Sequence, residues 1–209
     1  MESIPIPVLL LYNLSPAWGK REKAEVEQET LRFAKAVEQT GLSLSLEPIV
    51  SPDFDKVLSA YHPMDYIVFN WCEEVPGVPN GEIKVAQTLE TKGYTYTGSP
   101  PPVLELCQNK LKVKATLEAG HLPVPKGQLI QHPKEIENWT LFPAIVKTAF
   151  EHCSTGLSPR SVVTSRKELT EQVEWAHSTF HQPALVEEFI DGREFHVAII
   201  GNETVQMLP

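Results

Sequence analysis

The chain has 209 residues, 42% hydrophobic and 22% charged, an ordinary globular balance with room for one large domain or two small ones. Its 27 acidic against 18 basic side chains leave a formal charge of −9, which argues against non-specific nucleic-acid binding, and no basic run interleaved with aromatics appears. Nothing near the N-terminus reads as a signal peptide. Pro5 and Pro7 break the first apolar stretch, and VLLLY at 8–12 is far too short to cross a bilayer, so no membrane partner is expected. Cys72, Cys107 and Cys153 are scattered without CxxC spacing, which argues against a structural disulfide or zinc site and points to a cytoplasmic location.

In chain order, VLLLY is a continuous apolar run, as a buried parallel strand requires. Residues 22–39 carry Val26, Phe33 and Val37 on a charged background, an amphipathic helix with Gly41 where a C-terminal cap belongs. LSLSL at 42–46 alternates as a half-buried strand does. Ser51-Pro52 suits the opening of a short helix to about residue 61. Strand 66–70, helix 82–91 and strand 94–97 follow, ending at GSPPP (98–102), the best linker in the chain. The β-α-β-α-β order predicts a doubly wound parallel sheet.

A second unit is expected from about residue 103. It would hold a helix at 106–119, strands at 126–131, 142–147 and 161–164, and a helix opened by the capping box Ser165 and Glu168 with Leu169, Val173, Ala176 and Phe180 on one face. Strands at 184–190 and 195–200 would form a hairpin, with a tight turn at Gly201-Asn202 into 204–208.

Acids inside apolar strands are costly unless satisfied. Glu187 and Glu188 sit in the first hairpin strand and Glu194 opens the second, so the carboxylates are expected to border a pocket. Strand alternation points one of the adjacent pair inward. Lys147 ends a strand beside the small-residue segment EHCSTGL (151–157), either a phosphate site or a surface lysine next to a turn. Lys110 lies in QNKLKVK (108–114), which read alone is a solvated helix face as readily as a site. There is no GxxxxGK[ST], no GxGxxG after a strand and no histidine pair with zinc spacing.

The order of these pieces carries more than any one of them. From about residue 66 onward VFNWCEE (68–74), GYTYTGS (93–99), Asn109-Lys110 with Lys114, LPVP (122–125), FPAIVK (142–147), Ser154-Thr155-Gly156 and LVEEFIDGREF (185–195) resemble the D-alanine–D-alanine ligase branch of the ATP-grasp superfamily. The resemblance implies an α/β fold: an N-terminal Rossmann-like parallel sheet (1–102), the small ATP-grasp subdomain (103–183) and the first hairpin of the large one (184–209). It implies an ATP-dependent carboxylate–amine ligase working through an acyl phosphate, with ATP and magnesium as cofactors and a nucleotide and an amino-acid-type substrate as partners. Lys110 and Lys147 would contact the phosphates, and Ser154, Thr155 and Gly156 would form the mobile loop over them. Glu187 would accept from the adenine amino group, with the backbone of Glu188 and Ile190 along the adenine edge and Phe189 packed beside it. Glu194 would hold the ribose hydroxyls.

Departures from the family pattern are His152 and Cys153 in the loop, and NLSPAWG (13–19), which lacks the acidic first-substrate motif and weakens D-alanine as the substrate. No catalytic residue and no metal ligand is assigned. The magnesium ligands and transition-state arginine of the family would lie beyond Pro209, so no ligase turnover is expected of these residues alone. Two alternatives stand beside this reading. One is a non-catalytic nucleotide-binding or structural module that kept the fold. The other is a subunit completed by a second chain, where an open sheet edge after 204–208 predicts self-association as a homodimer.

Overall fold

A computed structural model describes residues 6–151 and 154–208. His152 and Cys153, and the loop departures expected of them, lie outside the described residues. The chain divides into two compact units, one up to Cys107 and one from Gln108. That division falls after Cys107 rather than at 102 because the helix Pro101–Cys107 packs with the first unit, Glu105 accepting a hydrogen bond from Gln87 at 3.4 Å.

The first unit is built as β1 (Val8–Asn13), α1 (Lys20–Glu38), β2 (Leu44–Ile49), α2 (Asp55–Leu58), β3 (Ile67–Trp71), α3 (Gly81–Thr91), β4 (Thr95–Tyr96) and α4 (Pro101–Cys107). Its sheet is four-stranded and all parallel, in the order β2-β1-β3-β4. With β2 and β3 on opposite sides of β1, right-handed crossovers put α1 on one face and the later helices on the other. The packing agrees. Phe33 of α1 meets Phe69 and Trp71 at ring separations of 4.7 and 5.4 Å. Leu9, Leu11 and Val68 instead join Phe54, Leu58, Val85 and Leu89 in one core cluster. Burial on both faces is why β1 reads as an unbroken apolar run.

The sequence places most of these elements, with informative shifts. β2 runs past 46 because its register with β1 extends to Asn13↔Ile49, and Pro48 is tolerated because β2 is an edge strand. Helix α2 is shorter than Ser51-Pro52 implied. Ser51 Oγ accepts from the Asp53 N–H at 3.3 Å, closing a local turn ahead of the helix. β4 is short because the Tyr94 N–H still bonds back to Leu89.

Gly81 opens α3 where the Val75–Val78 bridge crosses it, and a Cβ there would stand 2.1 Å from the Val75 nitrogen. Gly81→Ala must therefore move backbone. It is expected to destabilise the first unit by about 1–3 kcal/mol, read as faster amide exchange in β1 and β3 than in the parent.

The second unit holds α5 (Lys110–Ala119), β5 (Gly127–Ile130), β6 (Ala144–Thr148), β7 (Val162–Val163), α6 (Arg166–Phe180), β8 (Ala184–Glu188), β9 (Ile199–Ile200) and β10 (Gln206–Met207). The helix expected at 106–119 is two helices. Asn109 separates them, its side chain accepting from the Leu111 and Lys112 N–H groups as an N-cap. A four-stranded antiparallel sheet, β5-β8-β6-β7, packs one face on α6. Ala144, Val146, Ala184 and Val186 meet Leu169, Val173 and Ala176 there. Ser165 caps α6 as expected, while Glu168 reaches to the Thr164 N–H at 2.7 Å.

Two expectations are overturned here. Strand β8 lies inside this sheet, paired with both β5 and β6, so the boundary drawn at 183/184 cuts through one unit. The hairpin expected from 184–190 and 195–200 does not form: 184–188 pairs with β5 and β6 instead, and of 195–200 only Ile199–Ile200 finds a ladder partner, in Gln206–Met207. The turn at Gly201-Asn202 stands between them as anticipated, Gly201 with φ +119°. Among the described residues no helix is long and apolar enough to cross a membrane.

Candidate functional site

Alternation divides the second sheet into two faces. Even-numbered positions of β6 and β8 face α6, and odd-numbered ones, Ile145, Lys147, Leu185 and Glu187, face the other way. On that second face Glu187 is 5% exposed, with an ammonium group on each carboxylate oxygen. Lys114 Nζ lies 2.7 Å from Oε1 and Lys147 Nζ 2.7 Å from Oε2. Lys114 also donates to the Pro125 carbonyl. Lys110, one turn before Lys114 on α5, donates to the Glu151 carbonyl and feels the charges of both Lys147 and Glu187.

The electrostatics follow from burial and this crowding. Burial pushes the Glu187 carboxyl upward, but hydrogen bonds and charge from Lys114 and Lys147 outweigh it and hold the group below its ordinary range. Burial, aided by the neighbouring Lys147 charge, lowers the Lys110 ammonium below its ordinary value. Three ammonium groups against the Glu187 carboxylate and the Glu151 carboxylate in Lys110's field still leave an excess of positive charge, which suits a polyanion.

Gly127 completes the geometry. It is Glu187's register partner on β5, and a Cβ there would stand 3.2 Å from Glu187 Cγ and 3.3 Å from Lys114 Cε. A larger residue there would press on the pair, which would have to give by a few tenths of an ångström. Beyond β6, the Thr148 hydroxyl donates to the Thr155 carbonyl at 3.2 Å, Ser154 has φ +60°, and Gly156, with φ +78°, sits against Phe180.

Of the residues singled out in the sequence, Lys110, Lys147 and Glu187 come together. Ser154, Thr155 and Gly156 form the turn that follows Lys147's strand. Glu188 points to the opposite face, its Oε1 accepting from the Lys126 N–H at 2.9 Å, and its own N–H is used on the Lys126 carbonyl. The Phe189 N–H bonds the Pro143 carbonyl at 3.0 Å, and Ile190 is 64% exposed. Glu194 does not open a strand. Its side chain is 85% exposed, with His196 at 3.6 Å. Lys114 as a partner of Glu187, and Gly127 as their spacer, were missed. The i, i+4 spacing of Lys110 and Lys114 was the available signal.

Other clefts occur within the units. One of about 680 Å³ is lined by Arg160, Glu171, Gln172 and Trp175, and shares no lining residue with the lysine cluster. Another, of about 300 Å³, lies in the first unit at Tyr12, Asn13 and Trp71, by the C-terminal ends of β1 and β3. The buried carboxylate held by two cations is the more specific chemistry, which makes the cluster the candidate site. Among the described residues no group of three or more His, Cys, Asp or Glu side chains is gathered for a metal.

Comparison with known proteins bears on this arrangement. The family described as the D-ala D-ala ligase C-terminus matches residues 120–209. The chain is 34% identical over 172 residues to the uncharacterized protein y4sG of Sinorhizobium fredii, covering 81% of this chain and 47% of that protein. It is 33% identical over 139 residues to the D-alanine–D-alanine ligase of Enterococcus hirae, covering 61% and 38%. The chain thus spans about half or less of these relatives. Among solved structures, the D-alanyl-alanine synthetase A of Vibrio cholerae superposes with a TM-score of 0.66 at 15% identity, over 98% of this chain and 66% of that one. The VanG D-Ala:D-Ser ligase of Enterococcus faecalis gives 0.67 at 18%, over 96% and 67%. With matching sequence in the second unit and matching fold along nearly its whole length, this chain is a D-alanine–D-alanine ligase-like ATP-grasp protein.

Proposed function

We propose that this chain supplies the nucleotide-holding residues of an ATP-dependent carboxylate–amine ligase acting through an acyl phosphate. The observation that carries the reading is the lysine cluster around Glu187, on the sheet face opposite α6. Lys110 and Lys147 would take the phosphates of ATP by charge-assisted hydrogen bonds. The Ser154-Thr155-Gly156 turn would offer backbone N–H groups to them. Glu187 would receive the adenine amino group once an oxygen is released, with Phe189 and the backbone of Glu188 and Ile190 near the base. Glu194 would reach the ribose only if the segment after β8 folds back toward it. Magnesium, where it accompanies ATP, neutralises phosphate charge, and no protein ligand for it is proposed among these residues. The acid and amine substrates belong to the relatives' names, and D-alanine remains a proposal that NLSPAWG at 13–19 does not favour. A cytoplasmic location is likewise proposed, from the unpaired Cys72 and Cys107.

A second reading rests on the same cluster, since holding a nucleotide needs only the lysines and the carboxylate. In it the same cluster holds a nucleotide without turnover, as a binding module or as one part of a homodimer.

Calorimetric titration with magnesium-ATP tests the common element of both. Saturable binding is expected, weakened about tenfold or more by Lys147→Ala, the loss of one hydrogen bond to a charged group. Absence of heat at millimolar nucleotide in the parent protein would remove the proposal.

A further inference from the structure

The two lysines on Glu187 are not equivalent. Among the described residues Lys147 bonds Glu187 Oε2, and its side chain is 27% exposed. Lys114 is 15% exposed and anchored twice, on Oε1 and on the Pro125 carbonyl. A phosphate arriving at this face competes with Glu187 for Lys147, the freer cation. If Lys147 leaves, a carboxylate that is 5% exposed still needs a counter-charge.

We propose that Lys114 is a positioning residue for Glu187: fixed between the carboxylate and the Pro125 carbonyl, it keeps Glu187 paired and aimed while Lys147 exchanges onto the phosphates of a bound nucleotide. The inference rests on the nucleotide reading for its exchange step, and on geometry alone for the fixed pair. The surroundings leave Lys114 that role. From β5 the facing residue is Gly127, which has no charge to offer and on which a Cβ would stand 3.4 Å from Lys114 Nζ. From β6 the facing charge is Lys147 itself. From α5 the other charge is Lys110, which donates to the Glu151 carbonyl and has the Glu151 carboxylate within its field. Once Lys147 turns to a phosphate, Lys114 is therefore the cation still bonded to Glu187.

The proposal makes Lys114 visible in the proton balance of binding. Magnesium-ATP is titrated at neutral pH in two buffers of different ionisation enthalpy. The parent should bind without net proton uptake. In Lys114→Met, binding draws away the last cation, so Glu187 takes up as much as about one proton per nucleotide, and affinity falls about tenfold at neutral pH and recovers toward acid. Lys114→Arg keeps a cation and should return binding to the proton-silent form.

A ligand-free arm separates this inference from the nucleotide reading. Carbon-13 detected titration of Glu187 in Lys147→Met should leave its carboxyl at or below the ordinary range, because Lys114 remains, and adding Lys114→Met should raise it. Failure of the parent to bind ATP would strike the nucleotide reading alone, and the ligand-free titration would still decide the role of Lys114. Two results overturn the role itself: Glu187 rising above the ordinary range in Lys147→Met, or a folded Lys114→Met that binds without proton uptake. Should Lys114→Met fail to fold, the Lys114→Arg and Lys147→Met arms decide it.

Discussion

Glu187→Gln lowers the stability of the second unit by about 3 kcal/mol at neutral pH, the low end for removing one partner of a buried ion pair. The low end applies because Lys114 and Lys147 are 15% and 27% exposed and recover part of their hydration. The substitution keeps the side chain's length and its packing against Gly127, so it isolates charge. Its pH dependence has a definite sign. The folded carboxyl sits below its ordinary range, because the two lysines overcome the upward push of burial. The stability it supplies is then fully present above the unfolded glutamate value of about 4.3. It is lost as the pH falls through the lower, folded value. The gap between parent and Glu187→Gln should therefore be wide at neutral pH and close in acid. Amide exchange in β6 and β8 measures it locally, which matters in a chain with two units. A gap that stays constant with pH would mean that shape, not charge, was lost.

How much of this was legible beforehand depends on what each residue reports. VLLLY announced a strand buried on both faces, and Ser165 with Glu168 announced a helix start, because both signals are local. Glu187 and Glu188 were legible as a pair of which one turns inward, since alternation is a property of one strand. What Glu187 would meet was not legible. Its partners come from α5 and β6, and their meeting depends on the register Ile145↔Glu187, which the order of elements does not specify. The spacer role of Gly127 was hidden for the same reason: the strand at 126–131 was legible, but not the cross-strand neighbour that its glycine makes room for. The break at Asn109 carries a local signal, since asparagine is a favoured N-cap, but 106–119 was read as one helix. Glu194 was read as a strand-start acid because an apolar run follows a short polar turn, and such a run without a ladder partner is weak evidence for a strand.

Leu169→Ala is the counterpart on the other face of the sheet. Leu169 is fully buried in α6, in the cluster with Ile130, Ile136, Trp139, Val146 and Val186. Truncating it removes apolar contact and leaves a cavity, so a loss of about 3 kcal/mol is expected, comparable to that of Glu187→Gln. The two should part in everything else. The leucine carries no charge, so its cost should be flat with pH. Its contacts lie on the even-numbered face of β6 and β8, so nucleotide affinity at a temperature where the variant remains folded should match the parent. Chemical denaturation across a pH series, paired with calorimetric titration of magnesium-ATP, reads both properties on the same samples. An affinity loss in Leu169→Ala as large as that in Lys147→Ala would mean that the sheet transmits any loosening of its core to the lysines. The cluster's chemistry would then no longer account for binding by itself. Equal stability losses with affinity lost on one face alone are what a sheet divided between core and site requires.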